Sequence, residues 1–570
     1  MALKAELIRN FKEPQNQIAV QLAVIISKVA RLDCPNEWPE LIPRLLECVG
    51  TNDELEQKRS LQVLVQVVKA LSTKRLHHDR LMFEQFTNNL YEFILNLWNG
   101  FTMMYFQNVQ ELASVEVCMG NLEKALLTLR ILRKLTIHGF YKPKQSVKCM
   151  MFIKVIFERL KDLLECRIRI KSAPFNDANL LEKHEKFILK HMKILTEFQE
   201  YHRVAFFEFA PVVLEFSFNY VFYEGANLLF EDNKITLPNF TIHCLNLLKG
   251  YLLNTGSQIY SSEPLESEVN LADILKEFFT QERLSFIIDK LLMHYFLLTP
   301  VDIEQWDEDP EIYVGDEGGD SWKYNLRACT EAFYMSLFQK FNPILCSQLV
   351  VYIQKSQSIQ LTQLSGINDV LIKESIYNAV GLVAFHLFDD VDFNEWFTKQ
   401  LLDELKIKEP NYRILRKRII WLIGQWTGVN FSKTLRPAVY AACLDLLAPD
   451  EDIVVRLTAS KTLKTILDDF DFCAEQFLEY LEPSFSLLFD VLKEAKECDT
   501  KMNILYVMSF IVEKMSMSIK IQADNLVMYL PLLWYEGVEH NMLRCAIISA
   551  LVSSLSLSIN YILTNKLFLL

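Results

Sequence analysis

Residues 435–468, which read LRPAVYAACLDLLAPDEDIVVRLTASKTLKTILD, decide the fold. Pro437 suits the first turn of a helix, because the N–H that proline lacks would have no partner there. Residues 448–452, APDED, predict a turn. The segment after the turn carries an apolar face at helical spacing: Val454, Val455, Ala459 and Leu463. The stretch therefore predicts two antiparallel helices, each with one stripe to bury.

The same unit recurs along the chain as an amphipathic segment, a few polar residues or a proline, and another amphipathic segment. Two distant segments show such faces: Ile18, Leu22, Ile25, Ile26 and Val29, and Leu415, Ile419, Leu422, Ile423 and Trp426. Residues 435–468 resemble a HEAT repeat, a helix pair of about forty residues. We predict an all-α fold, an α-solenoid of HEAT-like antiparallel helix pairs forming a superhelical array, with residues 1–570 as a single domain.

Composition supports helices and bounds the function. Of the 570 residues 51% are apolar, whereas 15 Gly and 17 Pro are too few for a turn-rich β protein. The net charge of −13 argues against direct nucleic-acid binding, which needs concentrated Lys and Arg. A basic protein partner would suit this charge, although mild acidity is also common among intracellular proteins. The 12 cysteines stand singly and are predicted to be reduced core residues.

Sequence motifs of catalysis and metal binding do not occur. The chain has no phosphate-binding glycine loop, no G-x-S-x-G and no H-E-x-x-H. His77, His78 and Asp79 are adjacent and would point in different directions on a helix. We therefore predict no enzyme, no cofactor and no metal. Residues 545–565 are uncharged and long enough to cross a bilayer, but their repeated serines favour a buried or chain-end helix over a membrane span.

Polar or glycine-containing stretches predict four loops between helices: Lys171–Ala178, Thr255–Asn270, Pro300–Asp320 and Gln354–Ile367. Residues 300–320 form an acidic inter-helix loop without Lys or Arg. Such a loop could attract a basic partner, with flanking tryptophans as anchors, or could simply be a solvated connection. The candidate partner-binding residues are Trp306, Asp307, Glu308, Asp309, Glu311, Asp316, Glu317, Asp320 and Trp322.

Two charged features are predicted to be structural. Asp450 in the turn and Arg456 early in the second helix have the spacing of the acid–arginine ladder that joins neighbouring HEAT repeats; the alternative is a helix-capping acid and an exposed arginine. A basic run contains Arg413, Arg416, Lys417 and Arg418. It is interpreted as a solvated helix face rather than a site for phosphate or an acidic partner.

Residues 33–43, DCPNEWPELIP, predict a junction between two helices. Pro35 should end the first helix, and Pro39 suits the first turn of the next. Trp38 should pack against the junction as a staple. Pro43 lies late for a first-turn proline and is expected to bend the second helix.

This junction also resembles a motif of a known family. The pattern D-x-P-x-x-W-P-x-L, carried by Asp33, Pro35, Trp38, Pro39 and Leu41, is similar to the early repeats of importin-β-like nuclear transport receptors. The segment Gln305–Glu311 with Ser321 and Leu326-Arg327 resembles the W-x-x-D-P-E segment of that family, and Arg413–Trp426 resembles its mid-chain helix. Six separated segments resemble one member of the family in order, so the resemblance spans most of the chain. They are Lys28–Pro43, Leu129–Phe140, Gly319–Tyr324, Tyr377–Leu382, Tyr529–Trp534 and Glu539–Ala546.

The resemblance implies a function by binding alone. Such receptors hold protein cargo on a concave surface, cross the nuclear pore by binding Phe-Gly repeats of nucleoporins, and release cargo to the small GTPase Ran in its GTP form. The most similar member implies ubiquitin-conjugating enzymes and ribosomal proteins as cargo, and shuttling between cytoplasm and nucleus with transient residence at the nuclear envelope. The alternative function is a HEAT-repeat scaffold that holds a protein complex without pore transport.

Departures from the family pattern lie at both ends. In such receptors the first helices, which carry much of the Ran contact, precede the segment that Met1–Phe11 resembles. Residues 1–50 are therefore interpreted as a remnant of the N-terminal importin-type repeats, and Ran binding is the least secure expectation. Residues 555–570 lose the family pattern. We expect a truncated form, with apolar flanks exposed where repeats would stack.

Overall fold

The computed structural model describes residues 2–172, 177–231, 234–254, 266–316, 323–359 and 366–567. The chain divides into two compact units, Met1–Phe278 (unit 1) and Phe279–Leu570 (unit 2). Nearly all regular structure is helical, and the exception is one hairpin of two-residue strands in unit 1. The prediction of an all-α fold is confirmed.

The described residues of unit 1 contain twelve α-helices. They are α1 Ala2–Arg9, α2 Asn16–Asp33, α3 Leu41–Val49, α4 Glu54–Ser72, α5 His77–Gln110, α6 Val115–His138, α7 Val147–Lys171, α8 Ala178–Tyr201, α9 Arg203–Phe206, α10 Ala210–Phe222, α11 Pro238–Asn254 and α12 Glu266–Phe278. Short 3₁₀ segments are Asn10–Lys12, Pro143–Gln145, Phe207–Phe209 and Glu224–Leu228. The antiparallel strands are β1 Phe230–Glu231 and β2 Lys234–Ile235.

The part of unit 2 that the structure describes contains fourteen α-helices. They are α13 Gln281–Lys290, α14 Pro300–Glu308, α15 Pro310–Asp316, α16 Leu326–Ser358, α17 Ile367–Leu382, α18 Phe393–Trp396, α19 Leu402–Leu405, α20 Arg413–Asn430, α21 Arg436–Leu447, α22 Ile453–Asp468, α23 Ala474–Glu494, α24 Cys498–Met515, α25 Lys520–Glu536 and α26 Asn541–Leu567. Two π-helical segments, Leu291–Tyr295 and Phe397–Leu401, and four 3₁₀ segments, Ala384–Leu387, Pro410–Tyr412, Lys433–Leu435 and Ser516–Ile519, complete it.

The helices of each unit stack in two layers. In unit 1, α2, α4, α6, α8 and α11 pack side by side, and each of the last four also pairs with the helix of the other layer that precedes it. In unit 2, α17, α20, α22, α24 and α26 form the corresponding layer, with α21, α23 and α25 stacked in the other. Each helix thus buries a stripe against its pair and its neighbours, as an α-solenoid requires.

The stretch that decided the fold behaves as predicted. Residues 436–447 and 453–468 are the two helices α21 and α22, with Pro437 in the first turn. The four predicted inward residues of α22 are fully buried, as are the five apolar residues of α20. In α2 the prediction is wrong for Ile18 and Ile25, which are 45% and 48% exposed. That helix packs on α4 through small residues, Ala19, Ala23 and Ala30.

The junction at residues 33–43 is confirmed except in its proline positions. Helix α2 ends at Asp33, and the buried Trp38 receives Lys4 of α1, whose ammonium lies 5.7 Å from the ring centroid and 2.6 Å from the Asp33 carboxylate. Helix α3 begins at Leu41, so Pro39 lies before the helix and Pro43 is in its first turn. A proline there leaves no backbone bond unmade, because the first N–H groups have no partner within the helix.

Three predicted loops are too long. Helices already occupy residues 266–270, 300–316 and 354–358, whereas the ends of α7 and α8 agree with the loop at 171–178. Within the described residues one helical run, Arg203–Phe222, is long and apolar enough to span a membrane, and 67% of that window is buried in unit 1. A bent pair, Gln281–Tyr295 with Pro300–Glu308, also passes that test when taken together. In α26, residues 555–567 have no described side chains.

Candidate functional site

The acidic segment at residues 300–316 is helical, so the prediction of a loop is wrong there. Thr299 caps α14: its hydroxyl accepts the N–H of Asp302 at 3.2 Å, while the Asp302 carboxylate accepts the N–H of Thr299 at 2.7 Å. Pro300 and Pro310 begin the two helices. Each proline costs nothing at a helix start. The acidity of the segment had concealed these start signals.

Trp306 anchors the acidic segment through a buried side chain that contacts other parts of unit 2. Its side chain is 2% exposed, and the indole N–H lies 3.1 Å from both carboxylate oxygens of Asp452. The Arg413 guanidinium stands 5.4 Å from the indole ring centroid, and the ring of Tyr313 lies 5.2 Å away. A buried indole that Arg413 and Tyr313 contact and that is bonded through its N–H is an internal anchor, so it is not a free aromatic for a partner.

Arg413 joins the acidic segment to the next helix pair. It donates to Asp307 at 2.5 Å and to Asp452 at 3.0 Å. Burial lowers the pKa of Arg413, but the two carboxylates outweigh burial and the net pKa is raised. Asp452 also accepts the N–H of Val454 at 2.9 Å and so caps α22. One carboxylate therefore serves a tryptophan, an arginine and a helix start.

Glu311 anchors the far end of the segment. Its carboxylate accepts the backbone N–H groups of Lys496 and Glu497 at 2.9 Å each, just before α24 begins. A negative charge there complements the positive end of the helix dipole. Lys461 of α22 donates to the carbonyl of Val314 at 3.3 Å. The segment consequently lies across α20, α22 and α24.

The predicted partner-binding set divides into three groups. Trp306, Asp307 and Glu311 make contacts within the chain. Glu308 and Asp309 have exposed side chains. The Asp316 side chain and residues Glu317, Asp320 and Trp322 lie outside the described residues. Among the described members of this set, Glu308 and Asp309 offer exposed carboxylates to a basic partner.

The basic run of α20 is buried, so its interpretation as a solvated face is wrong. Arg418 lies 2.6 Å from Glu374 of α17, and Arg327 of α16 lies 2.9 Å from the same carboxylate. Arg416 makes a two-pronged contact with Glu451, at 2.7 and 2.9 Å. Because the partner carboxylates come from distant stretches, sequence spacing could not show these pairs.

The predicted ladder has other members. Asp450 is exposed, and Arg456 instead donates to Glu494 of α23 at 2.5 Å and to the Leu447 carbonyl at 3.2 Å. Glu451, one residue further along the turn, pairs with Arg416 of the preceding helix pair. Acid–arginine contacts do join neighbouring pairs, but Asp450 takes no part in the one formed by Arg456.

A cleft of about 780 Å³ opens in unit 2 between the end of α16 and residues 390–407. Val350, Ile353, Val391 and Trp396 contribute apolar lining. The remaining lining is largely polar and includes Lys373, which lies 2.5 Å from Glu404. A cleft with such mixed lining can receive a protruding side chain of a partner.

Within the described ranges, no group of three His, Cys, Asp or Glu side chains is placed to hold a metal ion. The described thiols are all free, and burial raises the pKa of several of them, to about 12 for Cys149 and Cys443.

Sequence comparison gives close relatives along the whole chain. Importin-11 of Mus musculus and importin-11 of Homo sapiens are each 44% identical to it over 555 residues, which are 96% of this chain and 55% of each relative. The sequence of the chain is thus importin-β-like over nearly its whole length. No protein-family profile matches the sequence.

Fold comparison agrees with this importin-β-like assignment. The structure of Lph2, described as a bidirectional nuclear transport receptor in S. cerevisiae, superposes with a TM-score of 0.81 at 22% identity, covering 98% of this chain and 55% of that one. The importin-β-like chain thus spans about half the length of the relatives it matches. Its HEAT-repeat α-solenoid fold is confirmed.

Sequence reasoning found the segment that distinguishes unit 2 of this importin-β-like chain but missed what it touches. Asp452 and Glu451 were assigned only to a turn, and Arg413 only to a solvated face. The one available signal was the excess of acids at 302–311 beside a basic run a hundred residues later. Such complementarity indicates a contact without saying which charges meet.

Proposed function

We propose that this chain is a nuclear transport receptor, or a large part of one, that carries protein cargo and catalyses no reaction. The observation that supports this most is the 44% identity to importin-11 sustained over 96% of the chain. A stacked array of helix pairs offers long surfaces and inter-helix clefts, which suit the binding of proteins. The chain would shuttle between cytoplasm and nucleus and dwell briefly at the pore.

The proposed partners are Phe-Gly nucleoporins, Ran in the GTP form and protein cargo. Ubiquitin-conjugating enzymes and ribosomal proteins are the cargo classes. The cleft beside Trp396 is the candidate site for a phenylalanine of a Phe-Gly repeat. Val350, Ile353 and Val391 give it apolar lining, and its volume of about 780 Å³ can hold a phenylalanine side chain. Glu308 and Asp309 are available to a basic cargo or to a basic face of the GTPase.

The first test is capture of the purified chain by immobilised Phe-Gly repeats and by Ran loaded with GTP or GDP, at two salt concentrations. We expect retention on Phe-Gly repeats that survives high salt, since apolar contacts are not screened, and preference for the GTP form of Ran. If the chain bound neither Phe-Gly repeats nor Ran, the transport function would be rejected and a HEAT-repeat scaffold favoured.

A pair of variants locates the Phe-Gly site. Val391→Asp places a charge in the cleft, whereas Val147→Asp places the same charge at an exposed position of α7 in unit 1. We expect the first variant to lose several-fold in Phe-Gly affinity and the second to bind as the parent does. Equal binding by both variants would exclude this cleft while leaving the transport function standing.

A further inference from the structure

Unit 1 carries a dense group of cations on one face of three neighbouring helices. We call it the basic surface, and it consists of Lys69 of α4, Arg130, Arg133 and Lys134 of α6, and Lys190 and Lys193 of α8. Helix α6 packs between α4 and α8 in one layer. The chain as a whole has a net charge of −13, so this local excess of positive charge runs against its composition.

Ion pairs fix the register that brings these cations together. Glu123 of α6 pairs with Lys58 of α4 and with Lys183 of α8, so these three residues lie at one level. Lys69 and Lys134 both follow that level by eleven residues on their own helices, and therefore lie side by side. Eleven residues are three helical turns, which keeps both side chains on the same face.

The same register aligns α6 with α8. Arg130 and Lys190 each follow the Glu123–Lys183 level by seven residues, about two helical turns. Arg133 and Lys193 each follow it by ten. Further along, Arg133 donates to Glu197 at 2.5 Å, and His202 contacts the carbonyl of Ile137 at 2.8 Å, so the two helices stay in contact along the basic surface.

Within the described ranges five of the six cations form no ion pair with a carboxylate; Glu197 pairs directly with Arg133, and its charge also acts on Lys134 and Lys190. Lys134 and Lys190 are partly buried among the others. Burial, followed by the charge of Arg133, lowers the pKa of both lysines. Like charges held together on rigid helices cost stability, and a chain that only needed to fold could have placed carboxylates here.

We propose that the basic surface binds an acidic segment of a partner protein. The positive area is short, since its cations on α6 and α8 fall within residues 130–134 and 190–193, and the chain that surrounds it has a net charge of −13. Charges act over about 8–10 Å at physiological ionic strength, so a short run of Asp and Glu would match the area. A nucleic acid would extend past it onto an acidic protein. The proposal goes beyond nuclear transport and requires neither Ran nor the pore.

Charge reversal at the three exposed positions tests it. The variant carries Lys69→Glu, Arg130→Glu and Lys193→Glu, and the probe is a short fluorescent polyglutamate peptide titrated with the full chain. We expect binding by the parent at low salt and a loss of at least about tenfold in the variant, because like charges would now face the peptide. The new glutamates would lie beside Lys134 and Lys190, so the thermal midpoint should stay level or rise.

The matched control carries Lys154→Glu, Lys161→Glu and Arg169→Glu, three exposed cations of α7 in the other layer of unit 1. It changes the net charge by the same amount, and we expect binding within about twofold of the parent. Equal losses in both variants would show a non-specific field effect and overturn the proposal. Absence of peptide binding by the parent would also overturn it, as would far tighter binding of a single-stranded oligonucleotide of equal charge.

Discussion

Glu374 carries a buried charge on which two helices of unit 2 depend. The carboxylate is 1% exposed and lies between the guanidinium groups of Arg327 and Arg418. Burial raises its pKa, but the surrounding cations outweigh burial and hold the pKa below its usual range. We expect Glu374→Gln to lower the free energy of unfolding by about 3 kcal/mol, because the carboxylate that Arg327 and Arg418 share away from water loses its charge. Thermal unfolding monitored by circular dichroism measures the loss.

The control for this prediction is an exposed ion pair of the same type. Glu395 pairs with Lys399 one helical turn away, and both side chains are more than half exposed. Surface pairs contribute little, so Glu395→Gln should change stability by less than about 0.5 kcal/mol. Equal effects of the two substitutions would mean that burial does not govern the strength of these ion pairs.

At the scale of elements, the docking of α14 and α15 depends on few side chains. Arg413 holds Asp307 and Asp452 together and stacks on Trp306. We expect Arg413→Gln to cost about 1–3 kcal/mol and to free the segment locally. Hydrogen exchange of amides 300–316 should then accelerate while that of α16 stays unchanged. Exchange that rises equally in both regions would indicate global unfolding instead of undocking.

Close packing of α17 against α20 gives a second prediction at this scale. A Cβ on Gly381 would lie 2.3 Å from the ring of Trp421, whereas nothing lies within 4 Å of a Cβ on Gly428 in the same layer. Gly381→Ala should therefore destabilise by about 1–3 kcal/mol through overpacking. Gly428→Ala should stabilise by up to about 1 kcal/mol, since alanine favours the helix. Thermal unfolding of the two variants should give shifts of opposite sign, and shifts of the same sign would contradict the packing.

These elements also show what the sequence could and could not reveal. The apolar periodicity correctly predicted the buried residues of α20 and α22, because both helices pack against neighbouring helices on two sides. The same reasoning failed for Ile18 and Ile25 because the alanines of α2 set its approach to α4. The acids that pair with Arg416 and Arg456, Glu451 and Glu494, come from the turn or the helix end of another helix pair. Backbone geometry decides which of several adjacent acids the arginine contacts.

At the scale of the whole molecule, the stability of the two units should depend differently on acidic pH. Unit 1 buries His184 and His191 completely, and burial lowers their pKa values to about 4 and about 3. In unit 2 the buried Glu374 and Glu451 have lowered pKa values, so their contribution is lost only as pH falls below 4.5. Acid should thus weaken the surroundings of the two histidines well before it reaches the carboxylates of unit 2.

The direction in which stability changes with pH follows from the protons that the folded and unfolded states bind. Unfolded histidine binds a proton near pH 6.5, whereas folded His184 resists until about pH 4, so the unfolded state gains stability as pH falls between these values. For His184 alone the effect amounts to about 3 kcal/mol. Its ring nitrogens contact the Tyr105 hydroxyl at 2.7 Å and the Leu163 carbonyl at 2.8 Å, contacts that a glutamine amide can partly reproduce.

We therefore expect His184→Gln to be less stable than the parent at pH 7 but to lose less stability between pH 6.5 and 4. Hydrogen exchange of α8, corrected for the intrinsic effect of pH, gives the slope for each variant. The exposed His77 supplies the control, since His77→Gln leaves the buried pair intact and should keep the slope of the parent. An unchanged slope in His184→Gln would show that the acid sensitivity of unit 1 arises elsewhere, because this substitution removes the proton-binding group itself.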